Sequence, residues 1–136
     1  MIRPFTALAL TALLTCFAFA EEKPTTPPAS TVNKVQAEEF EKVAAKEGVV
    51  ILDVRTPEEY KTRHLKGAVL IPIQSPKFDE QVKSLDKTKT YAVYCAIGVR
   101  SMRACTAMEK AGFTHLYNLE GGINAWEKAG RPVEKE

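Results

Sequence analysis

A chain of 136 residues, 45% hydrophobic and 26% charged, is sized for one globular domain with a real core. Its formal net charge of +2 excludes the strongly basic face that nucleic acid or an anionic membrane would select. Its two histidines and few cysteines are too far apart in sequence for metal-ligand spacing, and no metal or other cofactor is expected.

The first 20 residues read as a leader rather than as part of that domain. Arg3 supplies a positive start, Phe5 to Phe17 is apolar, and Ala18-Phe19-Ala20 precedes Glu21-Glu22 as an A-x-A cleavage site. Residues 1–20 are therefore expected to be a signal peptide, and the protein to be exported: periplasmic in a Gram-negative cell, otherwise secreted. The apolar run is too short for a spanning helix, so no membrane association is expected once it is removed. A lipoprotein signal ending at Cys16 is the lesser alternative, because Thr15 rather than a smaller residue precedes that cysteine. Cleavage takes away Arg3 and no acidic residue, which lowers the net charge from +2 to +1.

Residues 21–31, with Pro24, Pro27 and Pro28, read as an extended tether. Val32 to Val35 follows as a short strand. Ala37 to Lys46 carries Phe40, Val43 and Ala44 at helical spacing and is expected to end at Gly48. Val49 to Leu52 is a continuous apolar run, as in a strand buried on both faces. Thr56-Pro57-Glu58-Glu59 spells a helix start, with Thr as N-cap, Pro at N1 and Glu at N3 closing a capping box. Ala68 to Ile73 reads as a strand, Asp79 to Ser84 as a brief helix and Thr90 to Tyr94 as a strand. Arg100 to Ala111 is a longer helix, Thr114 to Leu119 a last strand and Ile123 to Lys128 a last helix. This alternation predicts an α/β fold: a parallel or mostly parallel sheet with helices on both faces.

In such sheets ligands bind beyond the carboxyl ends of the strands. Cys95 stands at one of those ends, where a strand runs through Ala96-Ile97-Gly98-Val99 into the helix opened by Arg100-Ser101. Unpaired N–H groups at a helix start and the adjacent Arg100 favour the thiolate, which is the nucleophilic form. Gly98 lets the loop tighten. An exported protein that keeps a free cysteine at this position points to covalent chemistry rather than to packing. Cys105 falls partway along the helix, out of disulfide reach of Cys95, and reads as a core residue beside Met108.

At these residues the chain resembles the rhodanese-like sulfurtransferases, over roughly residues 32–132. Leu52-Asp53-Val54-Arg55 with Glu59-Tyr60 and His64-Leu65-Lys66-Gly67-Ala68 is similar to that family's amino-terminal signature. Cys95 to Ser101 is similar to its active-site loop, and Asn118 to Trp126 to its closing block. The resemblance implies a three-layer α/β fold around a five-stranded, mostly parallel sheet. It also implies thiosulfate sulfurtransferase-like activity through a Cys95 persulfide, with Ala96, Ile97, Gly98, Val99, Arg100 and Ser101 binding the substrate. The partners it implies are a small anionic sulfur donor and a thiol or cyanide acceptor. The chain departs from the pattern at Arg63, where the family usually has glycine. It also has Ala96 and Ile97 where thiosulfate-using members carry extra basic residues, which leaves the anion to backbone amides and Arg100.

The same residues bear on two other functions. A cysteine phosphatase or arsenate reductase would place five residues between cysteine and arginine; here there are four, a narrower cradle than a phosphoryl group needs. A carrier that holds a persulfide without efficient turnover is the alternative of a different class. Asp53 and Arg55 are candidates standing behind the site, although an acid at Asp53 more often pairs with nearby backbone or with Arg55. Arg55 and Glu59, four apart, are expected to pair at the surface or half-buried. His64 is read as structural, His115 as a strand residue with no role, and Trp126 as a core anchor.

Overall fold

The computed structural model describes residues 29–136. The expected signal peptide over residues 1–20, the alternative lipid site at Cys16 and the expected tether up to residue 28 lie outside the described residues. The end of the tether is anchored: Ser30 Oγ and the Thr31 hydroxyl donate to the Glu109 carboxylate at 3.1 and 2.8 Å. Among the described residues, no helix is long and apolar enough to cross a membrane.

Five strands and five helices alternate: β1 (Val32–Val35), α1 (Ala37–Ala44), β2 (Val50–Asp53), α2 (Pro57–Thr62), β3 (Val69–Leu70), α3 (Phe78–Lys83), β4 (Tyr91–Tyr94), α4 (Val99–Lys110), β5 (Leu116–Leu119) and α5 (Gly122–Lys128). The sheet order is β1-β5-β4-β2-β3, and every pairing is parallel. β4 is central and all four of its residues are buried. Its period-two alternation feeds two cores. Tyr91 and Val93 join Ala104, Cys105 and Met108 of α4 and Phe78 and Val82 of α3. Ala92 and Tyr94 join Phe40 of α1 and Ile123 and Trp126 of α5 on the opposite face. Both faces are covered, as the apolar runs require.

After β2 the chain moves outward to β3; after β4 it moves the other way, to β5. The strand order therefore reverses between β2 and β4, and the carboxyl ends at such a switch point leave a crevice. Cys95 is the first residue past β4 and Asp53 is the last of β2.

Several boundaries differ from the sequence reading. α1 stops at Ala44, and Gly48, at φ +78°, turns the chain toward β2 rather than capping the helix. β3 has two residues instead of six; Ile71 and Ile73 still donate to Asp53 and Val54, but this is an edge strand that fades at Pro72. The last strand begins at Leu116, not Thr114. Past Pro132 the chain stays attached, because His64 and Glu134 exchange backbone hydrogen bonds of 2.9 and 2.8 Å.

Candidate active site

The loop after β4 is shaped by the next strand and helix as much as by its own sequence. Ile123 N–H donates to the Cys95 carbonyl at 2.8 Å and Asn124 N–H to the Ala96 carbonyl at 3.2 Å. The start of α5 thus draws the loop's carbonyls to one side, which leaves its N–H groups for the other. Gly122 makes this approach possible. A Cβ there would stand 2.4 Å from the Cys95 carbonyl oxygen, and its φ is +57°. Gly98, the N-cap of α4 at φ +97°, packs less tightly against the β5–α5 turn, where a Cβ would stand 3.1 Å from Gly121 N.

On the inner side sits the sulfur. Gly98 N–H points to Cys95 Sγ at 3.1 Å and the Ser101 hydroxyl at 3.3 Å. Cys95 is 1% exposed. Burial pushes its thiol pKa up, but hydrogen bonds from Ser101, side chain and backbone, and from the Gly98 and Ile97 amides outweigh that, and the pKa lies below its ordinary value. The Arg100 charge, which the Cys95 thiolate favours in turn, contributes less than these hydrogen bonds. Cys105 is fully buried without such donors, and its thiol is pushed up to about 12 by desolvation first and by the Cys95 charge second.

Arg100 is occupied elsewhere, which corrects the expected pairing of Arg55 with Glu59. Its guanidinium binds Glu59 with two contacts of 2.8 Å, Nη1 to Oε2 and Nη2 to Oε1. Glu59 also closes the capping box with Thr56, as the sequence predicts. Its carboxyl is lowered to about 2, chiefly by the hydrogen bonds from Arg100, then by those from Thr56, against opposing burial. The first turn of α4 is thereby tied to the first turn of α2.

Arg55 belongs to a separate buried group. Its guanidinium contacts Asp53 at 2.6 to 3.1 Å, Tyr94 O–H donates to Asp53 Oδ2 at 2.6 Å, and Leu65 N–H donates to the Tyr94 oxygen. The β2–β4 register puts Asp53 beside Tyr94. Asp53 and Arg55 therefore bolt the strand ends together behind the loop and do not touch the sulfur. Arg63 is in extended backbone (φ −170°), which any residue adopts, so glycine is not required there. Its side chain reaches α5, donating to Asn124 Oδ1 at 2.6 Å and pairing with Glu127. His64 stacks on Tyr60 and meets its carbonyl at 2.9 Å; His115 lies exposed ahead of β5; Trp126 Nε1–H donates to the Pro132 carbonyl.

Three contributors escaped the sequence reading: the Ser101 hydroxyl as a donor to sulfur, Gly122 as the seat of the loop, and Glu59 as the partner of Arg100. Two adjacent glycines ahead of a helix, after a strand, were the available signal for the second.

A family model described as Rhodanese-like domain matches residues 36–129. The chain belongs to the rhodanese-like family. It is 30% identical over 103 residues to a sulfurtransferase of Allochromatium vinosum, covering 75% of this chain and 94% of that protein. It is 40% identical over 84 residues to the probable adenylyltransferase/sulfurtransferase MoeZ of Mycobacterium tuberculosis, covering 62% of this chain but only 21% of that longer protein. Among solved structures, a rhodanese-related protein from Thermoplasma volcanium superposes with a TM-score of 0.68 at 32% identity, covering 76% of this chain and 99% of that one. Among the described residues no cluster of His, Cys, Asp and Glu could hold a metal ion.

Proposed function

We propose that this rhodanese-like protein is a sulfurtransferase that moves a sulfane sulfur from a small anionic donor, thiosulfate or a similar compound, to a thiophilic acceptor through a Cys95 persulfide. The observation that carries the reading is the convergence of the Gly98 amide and Ser101 hydroxyl on Cys95 Sγ at the sheet's switch point. Cys95 thiolate attacks the outer sulfur of thiosulfate; an S–S bond forms, the donor's S–S bond breaks and sulfite departs with its electron pair. With one proton taken up, the enzyme is left as Cys95–S–SH. An acceptor thiolate then attacks the outer sulfur, the Sγ–S bond breaks with its pair on Sγ, and the thiolate is restored. Splitting the transfer in two gives ping-pong kinetics. Fixed N–H groups that favour the thiolate also favour the charge on a persulfide, at no reorganisation cost.

Steady-state assays with a donor panel that includes thiosulfate and mercaptopyruvate, and with cyanide or thiols as acceptors, test this reading. Parallel double-reciprocal lines support it, and intersecting lines count against it. The bond between Arg100 and Glu59 weighs against a phosphatase, whose arginine must fold around the phosphoryl oxygens. The enclosure of Cys95 at 1% exposure favours one second reading, a carrier that shelters a persulfide and passes it on slowly. A single rapid loading followed by negligible turnover would select it. The reading includes export with removal of residues 1–20; intact mass of the exported protein should place Glu21 first, and a retained Met1 or a lipid on Cys16 would contradict it.

A further inference from the structure

Beside the sulfur loop lies a groove of about 450 Å³ that the mechanism above does not use and that Arg100 does not line. This is within the roughly 300–1,000 Å³ of small-ligand sites. Cys95 is not part of its wall, but Ile97, Gly98 and Val99 are, so groove and sulfur share the loop. Ile97 and Val99 are 61% and 57% exposed, two of the three large hydrophobic side chains left open among the described residues. Lys34 of β1 and Arg103 of α4 also line it. Both are exposed, and neither has an ion-pair partner among the described residues, where five other basic side chains do. Glu120 is the one carboxylate on the wall and is bonded to Gln36 Nε2 at 2.8 Å, so two cations face one anion and the groove is net positive.

The wall also contains an unspent polar group. Asn118 is 3% exposed, donates weakly to the Gly98 carbonyl at 3.4 Å, and its side-chain oxygen has no hydrogen-bond partner among the described residues. A buried acceptor of this kind calls for a donor, which the S–H of a bound thiol can supply. We propose that this groove seats the acceptor: a small thiol bearing a carboxylate, its anionic end on Lys34 and Arg103 and its carbon chain along Ile97 and Val99. The inference rests on the persulfide reading and adds to it the chemistry of the second substrate. Neither thiosulfate nor cyanide has a carbon chain to lie along Ile97 and Val99, so the groove bears on the discharge of the persulfide by a thiol and not on its formation.

The test follows discharge of protein preloaded with thiosulfate, by loss of about 32 Da from the Cys95 peptide, in line with covalent sulfur transfer. Three thiols serve as acceptors: 3-mercaptopropionate (anionic), 2-mercaptoethanol (neutral) and cysteamine (cationic). They are compared in wild type and in the double variant Lys34→Glu/Arg103→Glu at about 0.15 M ionic strength, where long-range steering is largely screened. The expected result is about a tenfold fall in the second-order constant for 3-mercaptopropionate, the loss of contacts worth about 1.4 kcal/mol. The constant for 2-mercaptoethanol should stay the same, that for cysteamine should rise, and loading by thiosulfate should be unaltered. The neutral pair Lys34→Gln/Arg103→Gln should fall between wild type and the double reversal, and it carries the test if the reversal disturbs folding. Equal changes for all three thiols, a matching loss in thiosulfate loading, or no change at all would overturn the groove assignment. Failure of wild type to take up sulfur on Cys95 would instead overturn the functional reading beneath it.

Discussion

Arg100 is held by Glu59 through two nitrogen–oxygen contacts of 2.8 Å, and this pair joins the sulfur loop to the start of α2. The arginine therefore acts as a strut for the loop more than as a free anion receptor. Glu59→Ala and Arg100→Ala should each lower turnover by a similar factor, about tenfold, for anionic and neutral donors alike. The double variant should be little worse than either, as for two residues acting as one unit. A loss confined to anionic donors in Arg100→Ala would show direct substrate contact instead.

The same pair gives a pH signature. The Glu59 carboxyl is lowered in the fold, from 4.5 to about 2, so its contribution to stability is complete above the unfolded value and is lost as pH falls toward the folded one. The stability gap between wild type and Glu59→Gln, measured by urea denaturation, should be constant above pH 5 and shrink between about pH 4.5 and 2. In Glu59→Ala the capping box goes as well, and the loss at neutral pH should reach about 1–2 kcal/mol.

Cys95 should titrate below the ordinary cysteine value in the pH dependence of alkylation, even though its enclosure slows the absolute rate. Ser101→Ala removes the hydroxyl donor to Sγ and should move the midpoint upward. Cys105, with its thiol pushed up to about 12, should stay unmodified in the folded protein and react only on unfolding. Equal labelling of both cysteines would contradict the packing of α4.

Gly122→Ala tests how the loop is seated. Its new Cβ would meet the Cys95 and Ala96 backbone at 2.4 to 2.5 Å, so α5 must withdraw from the carbonyls it holds. Turnover should fall at least about tenfold, with roughly 2 kcal/mol or more of stability, since both strain and lost bonds contribute. Gly48→Ala is the matched control: it has a comparable φ of +78° and nothing within 4 Å, so it should cost about 1–2 kcal/mol and leave turnover per folded molecule intact.

Asp53→Asn should destabilise by about 3–5 kcal/mol, because it strands the Arg55 charge in the core. The folded fraction should retain the pH dependence of Cys95 alkylation, since Asp53 does not touch the sulfur.

What could be read from the chain alone was whatever is written locally. The Thr56–Glu59 capping box, the apolar run of β2, the strand at β4, and a cysteine and glycine ahead of α4 are short-range patterns, and the structure repeats them. The family resemblance added the number of strands. What sequence spacing could not reach were choices among partners distant in sequence. Four-residue spacing suggests Arg55 as the partner of Glu59; the fold instead gives Arg55 to Asp53 in the core and brings Arg100 across from 41 residues away. The role of Gly122 depends likewise on α5 meeting a loop that follows a different strand; the paired glycines mark a special turn but not the contact it serves.

The most direct test of the account is the mass of the Cys95 peptide after wild-type protein is incubated with thiosulfate and no acceptor. A gain of about 32 Da, one sulfur atom, on that peptide alone, absent from Cys95→Ser and reversed by cyanide, is the predicted result. Sulfur found only on Cys105, or undiminished transfer by Cys95→Ser, would contradict it.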